Sequence, residues 1–188
     1  MNQRDIQREA TKKRIYECAF ELFEEKGFHN VKVQDIAEKA GISIGGLYHH
    51  YKSKEEILDY GYYYFDEDLK AYYEKQDIHG YRAGIHALIG FQMQTCVDRG
   101  PAIIRITFRT QIDGQNVYRY WNGRYLWKKL LQNLAEAGLT ADRQQEAATY
   151  ILRTSRGCVY DWCCLDGGFD LVEETLKQVN MILEHYGI

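Results

Sequence analysis

A helical repeat of apolar side chains runs through most of the chain and limits its fold more than any other feature. Apolar residues recur three and four positions apart, as in the first stretch of Ile15, Cys18, Ala19, Leu22 and Phe23. The chain has one proline and few consecutive β-branched residues, and glycines stand where the stripes stop. The pattern predicts an all-α fold of about nine helices, with the short ones inside the first 52 residues. It places a break between two helices at Gly100-Pro101 and a later helix over Tyr118, Trp121 and Tyr125. Helix starts are predicted at the capping residues Ser43, Ser53, Thr140 and Asp170.

The composition narrows the class of protein. Of 188 residues, 45% are apolar and 27% charged, which is typical of globular chains and not of disordered ones. No apolar run approaches the roughly 20 residues that span a bilayer, and the first 30 residues lack the apolar stretch of a signal peptide. We therefore expect a cytoplasmic protein without a membrane partner. The five cysteines form no paired C-x-x-C units, so the pattern predicts no metal site and favours idle thiols.

Residues 33–51 have the spacing of a helix-turn-helix. A stripe from Val33 to Ala40 stops at Gly41, and Ser43 is a suitable N-cap for a second short helix. In this motif the second helix can enter the major groove of DNA. The same spacing also fits two short core helices of an ordinary bundle. The motif sets our predicted boundary, with a helix-turn-helix domain at 1–52 and a larger helical domain at 53–188.

The wider context decides between these alternatives. The run from Ile15 through Gly27-Phe28, Val33, Ile36-Ala37 and Lys54, and above all GISIGGLYHHYKSKEEIL, resembles the tetracycline-repressor (TetR) family. The resemblance implies a three-helix DNA-binding domain followed by a helical effector-binding and dimerisation domain. It also implies a homodimeric transcriptional regulator, usually a repressor, that a small molecule releases from its operator. We expect no enzymatic activity and no cofactor. A palindromic operator is expected because one short recognition helix reads too few bases.

The DNA contacts follow from side-chain chemistry at the matching positions. The amide of Gln34 can pair with adenine, Ile44 can contact a thymine methyl, and Gly46 permits close approach. Phosphate contacts are expected from the end of the second short helix, from the next helix and from the first helix. Lys32 stands where the family often has a capping Ser or Thr. The predicted set is Thr11, Lys12, Lys32, Gln34, Ser43, Ile44, Gly45, Gly46, Tyr48, His49, His50 and Lys54.

The second domain is rich in aromatic residues, and the resemblance places an effector cavity among its helices. Between residues 99 and 129 there are seven basic residues and one acid. Arg105 and Arg109 are one helical turn apart, so they are either solvated surface charges or partners of an anionic effector. The predicted ligand-binding residues are Tyr64, Phe65, Phe91, Arg105, Phe108, Arg109, Trp121 and Tyr125.

Two further features admit more than one interpretation. The stripes Ala147, Ile151, Ser155, Cys158, Trp162, Leu165 and Val172, Leu176, Val179, Leu183, Tyr186 fit either intramolecular core or a dimer surface, and the resemblance favours the dimer. The alternative function is a thiol-based redox regulator or thiol enzyme that uses Cys158, Cys163 and Cys164. Their spacing forms no C-x-x-C motif, which weighs against it.

Overall fold

The computed structural model describes residues 2–113 and 123–188, and within these ranges every regular element is helical. The helices are α1 (Gln3–Lys26), α2 (Val33–Lys39), α3 (Ile44–His50), α4 (Lys54–Lys75), α5 (Tyr81–Asp113), α6 (Tyr125–Glu136), α7 (Ala141–Cys164) and α8 (Leu171–His185), with a 3₁₀ turn at Phe28–Asn30. The predicted all-α class is confirmed. No helix in the described ranges is both long enough and apolar enough to cross a bilayer.

Helix α5 is interrupted near its middle. Gly100 has φ 75° and ψ 157°, a conformation that glycine adopts without a steric penalty. Pro101 follows it, where the fixed φ of the ring suits the first position of a new helical stretch. The sequence predicted two helices that meet at this point. With α5 counted as one helix across this kink, the described residues contain eight α-helices where the sequence predicted about nine.

Helix α6 begins later than the sequence predicted. The predicted helix contained Tyr118 and Trp121, which lie outside the described residues, and Arg124 has an extended backbone just before α6. Arg124 has no side-chain acceptor for the first turn. The carboxylate of Asp66 accepts hydrogen bonds from the guanidinium of Arg124 at 2.8 and 3.1 Å and from the backbone N–H of Tyr125 at 3.3 Å. A residue of α4 therefore caps α6 from outside.

The helix starts follow the predicted capping residues with one exception, Thr140. The side chains of Ser43, Ser53 and Asp170 each accept a hydrogen bond from the backbone N–H three positions on. Thr140 precedes α7 but its hydroxyl makes no capping bond. Lys32, which precedes α2, has no acceptor, and the carboxylate of Asp35 instead accepts from the Lys32 N–H at 2.8 Å.

The described residues fall into two compact units. Unit 1 contains residues 2–65 and 106–113, and unit 2 contains residues 66–105 and 123–188. The division lies between Phe65 and Asp66, inside α4. The predicted boundary after residue 52 lies between α3 and α4, and it stays a prediction about domains.

The core of unit 1 lies where the apolar stripes of its first three helices meet. Helix α1 packs against α2, and α2 packs against α3. The buried side chains from these helices include Ile15, Ala19, Leu22, Phe23, Ile36, Ala37 and Leu47. The predicted stripe of α1 therefore supports α2, and α2 in turn supports α3.

The core of unit 2 contains most of the two apolar stripes, on α7 and α8, that the resemblance assigned to a dimer surface. Helix α7 packs against both α6 and α8. Five of the six α7 stripe residues are buried inside the single chain, and only Leu165 is exposed, at 63%. On α8, Val179, Leu183 and Tyr186 are buried. The buried part of both stripes is thus intramolecular core, which corrects the preference for a dimer surface there. Homodimer formation itself stays a prediction.

Candidate nucleic-acid interface

The turn between α2 and α3 has the backbone that a tight helix-turn-helix requires. Gly41 has φ 65°, in the left-handed region, and its N–H donates to the Glu38 carbonyl at 3.0 Å. The Ile42 N–H donates to the Ala37 carbonyl, also at 3.0 Å. Ser43 then caps α3, with its hydroxyl oxygen 3.0 Å from the Gly46 nitrogen. These bonds fix the direction in which α3 leaves the turn.

Helix α3 buries one face against the core of unit 1 and exposes the opposite face to solvent. Leu47 is fully buried and anchors the helix. At about 100° per residue, Gly45 and His49 lie opposite Leu47, and both are exposed. Ile44 and Tyr48, one turn apart, are 43% and 52% exposed. We call Ile44, Gly45, Tyr48 and His49 the outer face of α3. Lys32 and Gln34, at the start of α2, are also exposed.

Tyr51, just after α3, belongs to the core. Its hydroxyl donates to the Lys12 carbonyl at 3.1 Å, and its ring meets that of Tyr60 edge-on at 5.3 Å. Burial raises the pKa of Tyr51 well above its ordinary value, so the hydroxyl stays a neutral donor. Tyr51 is 1% exposed, so it is a packed core residue and not one available to DNA.

Lys12 does not lie where a phosphate contact needs it. Its side chain is only 8% exposed, and its ammonium donates to the Tyr60 hydroxyl and lies 3.9 Å from the centre of the Tyr60 ring. The hydroxyl of Thr11 donates to the Gln7 carbonyl at 2.9 Å and is turned back along α1. The exposed cations in this part of α1 are Lys13 and Arg14. Lys12 is therefore a structural tie between α1 and α4, held by a cation–π contact.

Lys54 is also held by its own chain. Its ammonium donates to the carbonyls of Phe28 and Val31 at 2.8 and 3.0 Å and lies 4.4 Å from the centre of the Phe28 ring. These two bonds tie α4 to the segment between α1 and α2. An ammonium has three donors, and these two bonds use two of the three N–H groups of Lys54.

The two histidines at the end of α3 have different surroundings. His49 is exposed, whereas the Nδ1 atom of His50 is buried and has no hydrogen-bond partner within residues 2–113 and 123–188. Burial lowers the pKa of His50 below its ordinary value, and His49 and Arg8 lower it further. At pH 7 the ring of His50 is therefore neutral. It offers a phosphate no positive charge.

The predicted ligand-binding residues are divided between the two units. Tyr64, Phe65, Phe108 and Arg109 belong to unit 1, Phe91, Arg105 and Tyr125 belong to unit 2, and Trp121 lies outside the described residues. In unit 2 the ring of Phe91 lies 4.8 Å from that of Tyr72, and the ring of Tyr125 lies 6.4 Å from that of Tyr73. Unit 2 also has a groove of about 500 Å³ between α7 and α8 with a different lining: Cys158, Asp161, Cys164, Leu165, Phe169, Glu174 and Gln178.

The positive charge of Arg105 is paired within the chain. Its guanidinium donates to the Cys163 carbonyl at 2.6 Å and to the carboxylate of Asp166 at 2.9 Å. About half of the side chain is exposed. The geometry supports the interpretation of Arg105 as a solvated charge paired within the chain. Because its charge already has a partner, it gives no reason to expect an anionic effector.

The surroundings of the cysteines do not favour the alternative function of a thiol-based redox regulator or thiol enzyme. Cys158 and Cys163 are buried, and Cys164 is exposed. Burial raises the pKa of Cys163 to about 11 and that of Cys158 above its ordinary value. Because the thiolate is the reactive form, a raised pKa disfavours nucleophilic or redox chemistry at both residues.

The sequence analysis did not predict two polar clusters of unit 2. One is the Asp66–Arg124 pair that caps α6. In the other, the buried Asn133 of α6 donates to the Tyr73 hydroxyl at 3.0 Å and to the Lys129 carbonyl at 2.8 Å. The partners in Asp66–Arg124 and Tyr73–Asn133 stand about 60 positions apart. No local pattern signals such pairs.

Comparison with known proteins supports the interpretation of α1 to α3 as the helix-turn-helix region of a transcriptional regulator. The family described as bacterial regulatory proteins, tetR family, matches residues 15–60. The HTH-type transcriptional repressor KstR2 of Mycobacterium tuberculosis is 49% identical over 45 residues, which are 24% of this chain and 22% of KstR2. An HTH-type transcriptional regulator of Staphylococcus aureus (strain USA300) is 30% identical over 92 residues, 46% of this chain and 48% of that protein. The chain thus spans less than half the length of these curated relatives.

Solved structures share the fold over most of the chain. The TetR-family repressor FadR of Thermus thermophilus, in complex with lauroyl-CoA, has a TM-score of 0.68 at 22% identity, covering 92% of this chain and 93% of that one. FadR of Bacillus subtilis, in complex with stearoyl-CoA, has a TM-score of 0.56 at 19% identity, covering 90% and 96%. The resemblance read from the sequence is confirmed. Residues 15–60 match the tetR family of bacterial regulatory proteins, and the described residues share the fold of TetR-family structures.

Proposed function

We propose that this protein is a sequence-specific DNA-binding transcriptional regulator, a repressor that a small molecule releases from its operator. The observation that carries the proposal is the capped, outward-facing helix α3 on its buried Leu47 anchor, next to the exposed Gln34 of α2. A short helix held in this way fits the major groove, and its exposed side chains meet base edges and phosphates. The similarity to the transcriptional repressor KstR2 and to the transcriptional regulator of Staphylococcus aureus supports the same conclusion.

Selection of bound duplexes from a random pool tests this function. We expect enrichment of one pseudo-palindromic sequence, with affinity that falls as salt rises because phosphate contacts release counterions. Binding that is equally strong to all sequences, or absent at low salt, would contradict the proposal.

Within the selected site, Gln34→Ala is expected to relax the preference at one base pair. The amide of Gln34 can bond N6 and N7 of adenine, and the loss of such a pair costs about 1–3 kcal/mol of discrimination. The measurement is the Kd for duplexes that carry each base at every position, at fixed salt. Gln132→Ala, an exposed glutamine of α6, is the matched control and should leave every preference unchanged. An unchanged profile for Gln34→Ala would remove Gln34 from base reading.

We further propose that the regulator acts as a homodimer on the two halves of its operator. The side chains that support this proposal are the ones left outside the core of unit 2. On α7 these are Tyr150, Gly157, Tyr160 and Cys164, and on α8 Met181, which is two-thirds exposed. Tyr150, Gly157 and Cys164 are spaced by sevens, so they share one face of α7. This face, and not the buried stripe, is our proposed contact.

We propose that the effector binds in unit 2 and that Tyr125 is one of its partners. The Tyr125 hydroxyl is buried and has no hydrogen-bond partner among the residues that the structure describes. Burial raises the pKa of Tyr125 to about 12, so the hydroxyl remains a neutral donor for a carbonyl or carboxylate. Acyl-CoA molecules are the ligands named for the two FadR structures, and acyl acids and thioesters carry such acceptors.

Thermal-shift measurements test this proposal with lauroyl-CoA and lauric acid as probes and a cationic dye as the contrast. We expect stabilisation by an acyl compound and a smaller shift for Tyr125→Phe, which keeps the ring and removes the donor. Tyr72→Phe, in the same unit, is the matched control and should retain the wild-type shift. Stabilisation by the cation alone, or equal shifts for Tyr125→Phe and wild type, would overturn the assignment.

A further inference from the structure

The first turn of α3 offers DNA one apolar side chain and no amide, guanidinium or ammonium. Residues 44–46 read Ile-Gly-Gly, and the oxygen of the preceding Ser43 is engaged as the cap of Gly46. Hydrogen-bonding groups on α3 begin only at Tyr48. A helix that reads bases through this turn must therefore read them by shape and apolar contact.

Gly45 exposes the backbone of α3 on its outer face. A Cβ built on Gly45 meets nothing within 4 Å, so packing within the described part of the chain does not explain why a side chain is missing there. At Gly46, by contrast, a Cβ would lie 3.2 Å from the capping Ser43 hydroxyl oxygen. Gly45 lies opposite the buried Leu47, at the middle of the outer face. Without a side chain at this position, the helix axis can lie closer to the floor of the groove, and the neighbouring Ile44 comes nearer to the base edges.

Ile44 is held ready for such a contact. It is 43% exposed, so part of its side chain rests on its own chain and part faces outward. A β-branched side chain in a helix has one strongly preferred χ1 rotamer, so little rotamer freedom remains to be lost on binding. In the major groove the one apolar group on a base edge is the 5-methyl of thymine.

We propose that Ile44 reads the 5-methyl group of one thymine in each operator half-site. This inference rests on the proposed DNA-binding function and names the chemical group that the outer face of α3 distinguishes. It assigns to the chain a methyl-dependent specificity that a hydrogen-bonding residue at the same position would lack.

Replacement of thymine by deoxyuridine in the selected duplex tests the inference, because the two bases differ only in the methyl group. Each thymine is exchanged in turn, and Kd is measured by fluorescence anisotropy at constant salt. We expect one position per half-site at which the exchange weakens binding about fourfold, the value for one buried methyl group. For Ile44→Ala the ratio of the two Kd values at that position should fall to about one.

Ile6→Ala is the matched control, since Ile6 is an isoleucine of α1 that is 53% exposed, and it should keep the wild-type ratio. Melting curves establish that both variants are folded. Sequence-specific binding with no sensitive thymine would overturn the inference and leave the proposed function intact. A sensitive thymine whose ratio survives Ile44→Ala would also overturn it. If the pool yields no preferred sequence, the proposed function fails and the inference falls with it.

Discussion

Gly84→Ala is expected to lower the free energy of unfolding by about 2–4 kcal/mol, the sum of overpacking and of damaged hydrogen bonds. Gly84 is buried in α5, and a Cβ there would overlap Oδ1 of Asn133 and lie 2.6 Å from the Tyr73 hydroxyl. Asn133 cannot move aside freely, because it bonds both the Tyr73 hydroxyl and the Lys129 carbonyl. Urea or thermal unfolding measures the loss.

Gly90→Ala provides the matched control on the same helix. A Cβ at Gly90 meets nothing within 4 Å, so this change should raise stability by about 1 kcal/mol through helix propensity alone. In an Asn133→Ala background, Gly84→Ala should cost less than in the wild type, since the overlapping atom is gone. If the two glycine variants unfold alike in the wild-type background, the close approach of α5 to Asn133 is wrong.

Gly157→Trp is expected to convert the proposed dimer into a monomer without unfolding the chain. Gly157 is exposed in the middle of α7, and a Cβ there meets nothing within 4 Å. A large side chain therefore disturbs only what another molecule places against this face. Sedimentation at micromolar concentration should change from about twice 22.1 kDa to the mass of one chain. Affinity for the palindromic site should fall by about 100-fold or more, because the second half-site no longer binds as part of one complex.

Gln132→Trp, on an exposed position of α6, is the control for a surface tryptophan and should remain dimeric. Ser155→Trp is unsuitable, since Ser155 is fully buried and its hydroxyl donates to the Ile151 carbonyl at 2.8 Å. A dimer that survives Gly157→Trp would place the interface elsewhere. A wild-type monomer would overturn the dimer itself.

The sequence predicted features that depend on neighbours along the chain. The cap at Ser43 and the break at Gly100-Pro101 each follow from the preferences of one or two residues, and the structure has both. The buried face of α1 follows from spacing alone.

The failures concern long side chains and distant partners. Periodicity treats a lysine as a surface charge, yet Lys12 and Lys54 carry their ammonium groups over the rings of Tyr60 and Phe28. For Arg105 the sequence left open a solvated charge or an effector partner, because its actual partner Asp166 stands 61 positions away. The burial of the α7 stripe depends on which helices pack against it. The spacing of apolar residues on one helix does not identify the helix that covers them.

The glycine pair in α3 has a consequence for the dynamics of the protein. Each glycine within a helix costs about 1 kcal/mol relative to alanine, and α3 has two among its seven residues. The helix is retained by the Ser43 cap and by Leu47, so its local opening requires less free energy than unfolding of the α1 core. Its amides should exchange with solvent sooner than those of α1, and bound DNA should slow that exchange.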